Sequence, residues 1–129
     1  MTSIRPRTLQ CMARAIGAVT VLTGLTQVAA PGLVLAVVHG DTAPTSLHFF
    51  RIIGMFMALF GGLLLQASRL PAPAAAAPLL WCMLQKWGAA LAVTVAVALQ
   101  LMSPLALGIA AFDAASALLL RAYSRSGPV

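Results

Sequence analysis

Long apolar stretches alternate with short polar punctuation along this chain. No charged side chain and no histidine falls within residues 15–38, 52–68, 70–85 or 87–112. Runs of this kind approach or exceed the ~20 apolar residues that carry a helix across a bilayer. They predict an all-α chain: an integral membrane four-helix bundle, folded as a single transmembrane domain over residues 1–129, with helices over about 12–38, 46–68, 78–101 and 104–122.

The breaks between the runs refine this picture. Pro31 falls inside the first run, where it removes a backbone donor and crowds the preceding turn, so a kink or a short separate segment "PGLVLAVV" is expected there, with Gly40 as a stop. Thr45 or Ser46 is placed to cap the second helix. The stretch "RLPAPAAAAPLLW" reads as a proline-rich loop, with Pro78 in the first turn of the third helix. "MSP" at 102–104 predicts a tight hairpin in which Ser103 caps the fourth helix and Pro104 opens it. The first run also looks like a signal peptide, with Arg5, Arg7 and Arg14 ahead of it and "VAA" at 28–30. Its length and Pro31 argue for a retained helix, and cleavage would leave three spans in the same orientation.

Composition turns these helices into a membrane protein. Hydrophobic residues make up 61% of the chain and charged ones 8%, against roughly a quarter charged in ordinary soluble domains. A net charge of +6 would suggest nucleic acid in a soluble chain, but here the charges gather at the ends of apolar runs and read as topology instead. With the N-terminus cytoplasmic, Arg5, Arg7, Arg14, Arg69, Arg121 and Arg125 all lie at cytoplasmic helix ends. The outer loops 39–45 and 102–103 then hold no Lys or Arg. The expected topology is N-in/C-in, with the lipid bilayer as the principal partner and no nucleic acid.

Three ionisable residues lie away from the helix ends: Arg51, Lys86 and Asp113. Each costs about 3 kcal/mol at a bilayer centre if unpaired. Arg51 sits ~6 Å inside the outer end of its helix and Lys86 ~10 Å inside the inner end of its own, and both lean toward the nearer interface. Asp113, ~13 Å from either end, has no such escape. A hairpin turning at 102–103 sets Asp113 opposite Val93, which ranks Arg51 above Lys86 as its partner, with His48 and Asp41 extending a polar cluster outward. Small residues at helical spacing, Gly17 and Gly24 with Thr20 and Gln27, then Gly54, Ala58 and Gly62, predict close helix packing, or a homodimer seam.

Site chemistry is sparse. Cys11 and Cys82 form no C-x-x-C pair; His39 and His48 could in principle ligate haem or metal, but they lie on a loop and near the head of the second helix, so a metal site is not expected. Nucleophile, zinc-helix and phosphate-loop motifs are missing, and with no Glu a paired-carboxylate site is excluded. No catalytic residue and no cofactor follows from these residues.

"FRIIGMFMALFGG", the lone Lys in "LLWCMLQKWGA" and the Asp in "GIAAFDAASALLL" give the chain a resemblance to small bacterial four-helix membrane proteins of the DoxX-like kind, over residues 12–122. The resemblance implies a bacterial inner-membrane protein whose relatives are sometimes tied to quinone-linked redox or accessory roles, and it carries over no catalytic residue. Two functional readings follow. The first is a structural or accessory membrane subunit, docking a membrane-protein partner, in which the buried charges set helix register. The second is a carrier or binder of a small apolar or anionic molecule in an intramembrane cavity lined by Arg51, Lys86 and Asp113.

Overall fold

The computed structural model describes residues 6–126, all of whose regular structure is helical. The helices are α1 (Pro6–Ala29), α2 (Pro31–Val37), α3 (Pro44–Ala67), α4 (Ala72–Ala98) and α5 (Leu107–Ser126), the last entered through a 3₁₀ turn at Pro104–Ala106. Four spans, Pro6–Ala29, Pro44–Ala67, Ala72–Ala98 and Pro104–Ser126, are long and apolar enough to cross a membrane. Their outward faces are apolar too: Leu22, Leu59 and Leu91 are each more than 60% exposed. In water such surface would aggregate, whereas lipid solvates it.

Proline decides most of the boundaries. Pro31 divides the first expected helix in two, so that α2 is a separate short helix behind a non-helical Ala30. The expected loop 69–77 is largely helix. Pro71 is the N-cap of α4 and Pro73 lies in its first turn, where neither removes an intrahelical bond, and the alanine run that follows has the highest helix propensity of any residue. Pro78 therefore falls inside α4 rather than at its start. At the other end α5 continues through Ser126, past the expected stop at 122.

The expected caps are also rearranged. Neither Thr45 nor Ser46 caps α3, whose N-cap is Ala43. Asp41 lies just ahead of the helix and accepts bonds from the Ala43 N–H at 3.1 Å and from the Ser46 hydroxyl, without a side-chain bond to the helix's first amides. Ser103 makes no side-chain cap; its N–H donates to the Val38 carbonyl at 2.8 Å, tying the end of α2 to the α4–α5 turn. His39 and Gln100 hold left-handed φ of 51° and 59°, and each is followed by a residue whose N–H reaches back five positions, Gly40 to Leu35 and Leu101 to Ala96, both at 2.9 Å. This is the helix-ending pattern in which a left-handed residue lets the chain turn back on the last carbonyls.

Each long helix packs on two others: α1 on α3, α3 on α4, α4 on α5 and α5 on α1, while α3 and α5 stand diagonal to one another without close backbone contact. The α1–α3 seam is the tightest. A methyl group on Gly24 would stand 2.5 Å from backbone atoms of both Gly54 and Ala58, and one on Gly54 would stand 2.7 Å from the Gly24 carbonyl oxygen. Gly17 likewise faces Gly61. Gly62, expected on this ladder, meets nothing within 4 Å. At 100° per residue, seven positions from Gly54 return to within ~20° of the same face and eight miss it by ~80°, so Gly61 takes the place assigned to Gly62.

We call the end where α1 starts and α5 stops proximal, and the opposite end distal. The proximal half holds the buried core. Leu9, Ala13, Ile16, Leu64, Leu79, Leu120 and Tyr123 form one buried cluster there. Above it Gln10 donates to the Ser68 carbonyl at 2.8 Å, and Arg14 reaches the same residue at 3.3 and 3.4 Å, closing the C-terminus of α3 with a cation. Arg7, Arg14, Arg69, Arg121 and Arg125 all fall at this end; Arg5 lies outside the described residues.

Candidate functional site

Asp113 points inward from the middle of α5, on a face shared with Ala106, Ala110 and Ala117, all buried. Its partner is Lys86 of α4. Lys86 Nζ stands 2.7 Å from Asp113 Oδ1, with the two side chains 3% and 5% exposed. The ammonium also lies 5.3 Å from the centroid of the Phe112 ring, within range of a cation–π contact.

The ranking of Arg51 above Lys86 is thus reversed, and the reason is the turn. α4 stops at Ala98, and residues 99–103 bend back before the 3₁₀ turn. This moves the centre of the hairpin toward residue 100, and Trp87 to Thr94 of α4 now run antiparallel beside Leu107 to Ala114 of α5 along one surface groove. Asp113 falls level with about residue 88, half a turn from Lys86, rather than opposite Val93. Arg51 is exposed and sits on the helix diagonal to α5. His48 is exposed as well, its ring tilted against Phe49 at 6.2 Å. Neither joins the pair, and Asp41 is engaged in its own turn.

The distal half of the molecule holds a pocket that opens to the surface, where Val19, Ile53, Ile109 and Phe112 of its lining are exposed. A cavity of about 480 Å³ lies between the five helices, and Lys86 and Asp113 form part of its wall. Thr20, Thr23 and Gln27 of α1 and Gln85 of α4 complete its polar side, while Val34, Val38, Phe50, Ile53, Ala96 and Met102 make the lining toward the distal end apolar. Thr20 is satisfied internally, its hydroxyl donating to the Ile16 carbonyl at 2.8 Å. Gln27 differs: the residue is 7% exposed, and its Oε1 has no hydrogen-bond partner.

Gln27 and Thr20 entered the sequence reading only as neighbours of the packing glycines. Thr20, Thr23 and Gln27 do, however, follow the three-then-four spacing of one helix face, so a polar stripe on an apolar helix was there to be read. Among the described residues no three His, Cys, Asp or Glu side chains are grouped so as to hold a metal ion. The chain matches no protein-family model, no curated protein and no solved structure.

Proposed function

We propose that this protein is an integral membrane four-helix bundle, N-in/C-in in a bacterial inner membrane and of the DoxX-like kind, that binds a small, largely apolar molecule between its helices and performs no chemistry on it. The observation that carries this reading is the cavity of about 480 Å³ with the Lys86–Asp113 pair in its wall. This volume lies within the ~300–1,000 Å³ typical of small-molecule sites, which are concave and mostly apolar with a few convergent polar groups. A pair that served only to set helix register would gain nothing from facing a void. For this reason the binder is preferred over the structural or accessory subunit, and Arg51 is left out of the site. Arg7, Arg14, Arg69, Arg121 and Arg125 at the proximal end, against Arg51 alone near the distal one, support the orientation.

Photolabelling tests the reading. The protein in lipid nanodiscs is exposed to an octane-sized alkyl diazirine, and adducts are mapped by mass spectrometry. Saturable labelling of Met57, Gln85 and Val93, lost in Ala89→Phe, is expected. Labelling confined to lipid-facing side chains such as Leu22 and Leu59 would overturn it.

A further inference from the structure

The polar groups of the cavity are gathered at one depth. Cys82 Sγ meets the Phe60 carbonyl oxygen at 3.6 Å, which puts α4 and α3 in register. Lys86 lies four residues distal of Cys82, ~6 Å along the axis. Gln27 packs its Cβ beside Gly54, six residues distal of Phe60, or ~9 Å. Gln27 on α1 and the Lys86–Asp113 pair on α4 and α5 therefore face the cavity from different helices within about one turn of the same level. Distal of them the lining is apolar, from Ala96 and Ile53 to Val38 and Met102. The cavity has a polar floor and an apolar throat.

Charge and hydrogen-bonding capacity then restrict what the floor accepts. Among the described residues of the lining, Lys86 and Asp113 are the only charged ones, and they neutralise each other. An anion would have to take Lys86 while facing the Asp113 carboxylate, and a cation would meet the converse. A neutral head avoids both. The Gln27 Oε1 is a buried acceptor without a donor, and the Lys86 ammonium carries three N–H groups, one of them committed to Asp113. A head that both donates and accepts matches the two sides together. It also matches the Gln27 carboxamide in either orientation, since that group presents one function of each kind.

From these constraints we infer that the ligand is a neutral amphiphile with a hydroxyl or carboxamide head, which seats the head at mid-membrane depth between Gln27 and the Lys86–Asp113 pair and directs its apolar body distally. The inference rests on the cavity-binding reading above. It places the head at the bilayer's middle, the reverse of a membrane lipid, so the molecule must be one whose head crosses hydrocarbon uncharged.

Three diazirine probes of one chain length separate the possibilities: an n-octanol, its methyl ether, and the octanoate at pH 8, each dosed by its mole fraction in the nanodisc. An unpaired buried acceptor disfavours a ligand that cannot donate, so half-saturation of cavity labelling by the alcohol is expected at roughly tenfold lower mole fraction than by the ether. The carboxylate is expected to be weaker than the alcohol. In Gln27→Leu the alcohol is expected to fall to the level of the ether, with ether labelling retained; the wild-type comparison stands by itself should that variant not fold. Equal labelling by alcohol and ether, or preference for the carboxylate, overturns the head-group assignment and leaves the cavity-binding reading in place. No cavity labelling by any probe overturns both.

Discussion

Lys86 and Asp113 meet at 2.7 Å in the middle of the α4–α5 seam, each almost wholly withdrawn from the surface. Removing one partner strands the other charge in a low-dielectric site at a cost of about 3–5 kcal/mol, whereas removing both avoids that penalty. Unfolding in one detergent is expected to show Lys86→Met and Asp113→Asn each strongly destabilised and the double variant much less so. Arg51→Gln, at an exposed position, is expected to change stability by under about 0.5 kcal/mol. Additive effects of the first two substitutions would show that the pair is not coupled.

The α1–α3 seam leaves no room for a side chain at its glycines. Gly24→Ala would drive a methyl group into the Gly54 and Ala58 backbone, for a loss of about 1–3 kcal/mol. Gly62→Ala, which meets open space, is expected to be neutral. Thermal unfolding of the two variants side by side checks the assignment, and equal effects would contradict it.

Orientation is open to single-cysteine labelling in a background without Cys11 and Cys82. An impermeant maleimide added outside is expected to reach Thr42→Cys, in the α2–α3 loop, and to miss Ala74→Cys, at the arginine-bearing end. The opposite pattern would invert the topology.

The α2–α3 loop makes a pH-dependent prediction. Bonds from the Ser46 hydroxyl and the Ala43 N–H hold the Asp41 carboxyl below its ordinary value. A lowered folded pKa means that its contribution is complete above the unfolded value of about 3.9 and is lost as pH falls through the lower folded one. Protection of the Ala43 amide from hydrogen exchange, corrected for intrinsic rates, is expected to be flat from pH 5 to 7 and to fall below about pH 4. In Asp41→Ala it is expected to be weak throughout. A fall already complete at pH 5 would contradict the direction of the shift.

How much of this was legible beforehand depended on the physical range of the signal. The long helices follow from uncharged runs, a property of the chain alone. The inward face of Asp113 follows from Ala106, Ala110 and Ala117, a local periodicity. Its partner did not, because the choice between Arg51 and Lys86 depended on where one turn begins. Gln100 in a left-handed conformation ends α4 earlier than the "MSP" motif suggests, and a shift of a few residues there carries Asp113 from Val93 toward Lys86. Pro78 misled for a related reason: the alanines before it extend the helix past a residue that usually opens one. The cavity was the least legible feature, since it is a space shared by five helices, to which each contributes only a few unremarkable side chains.

The uneven filling of the molecule has a mechanical consequence. At the proximal end Tyr123, Leu120 and Leu64 are fully buried in one cluster, and along α1 and α3 the backbones meet closely at their glycines. Since α1 packs most closely on α3 and α4 on α5, motion that widens the open half is expected to splay these two pairs about the buried end, as the jaws of a clothes-peg open about its spring. The bond from the Ser103 N–H to the Val38 carbonyl clasps the jaws at their tips, and one hydrogen bond is a modest restraint on levers as long as the 27 residues of α4.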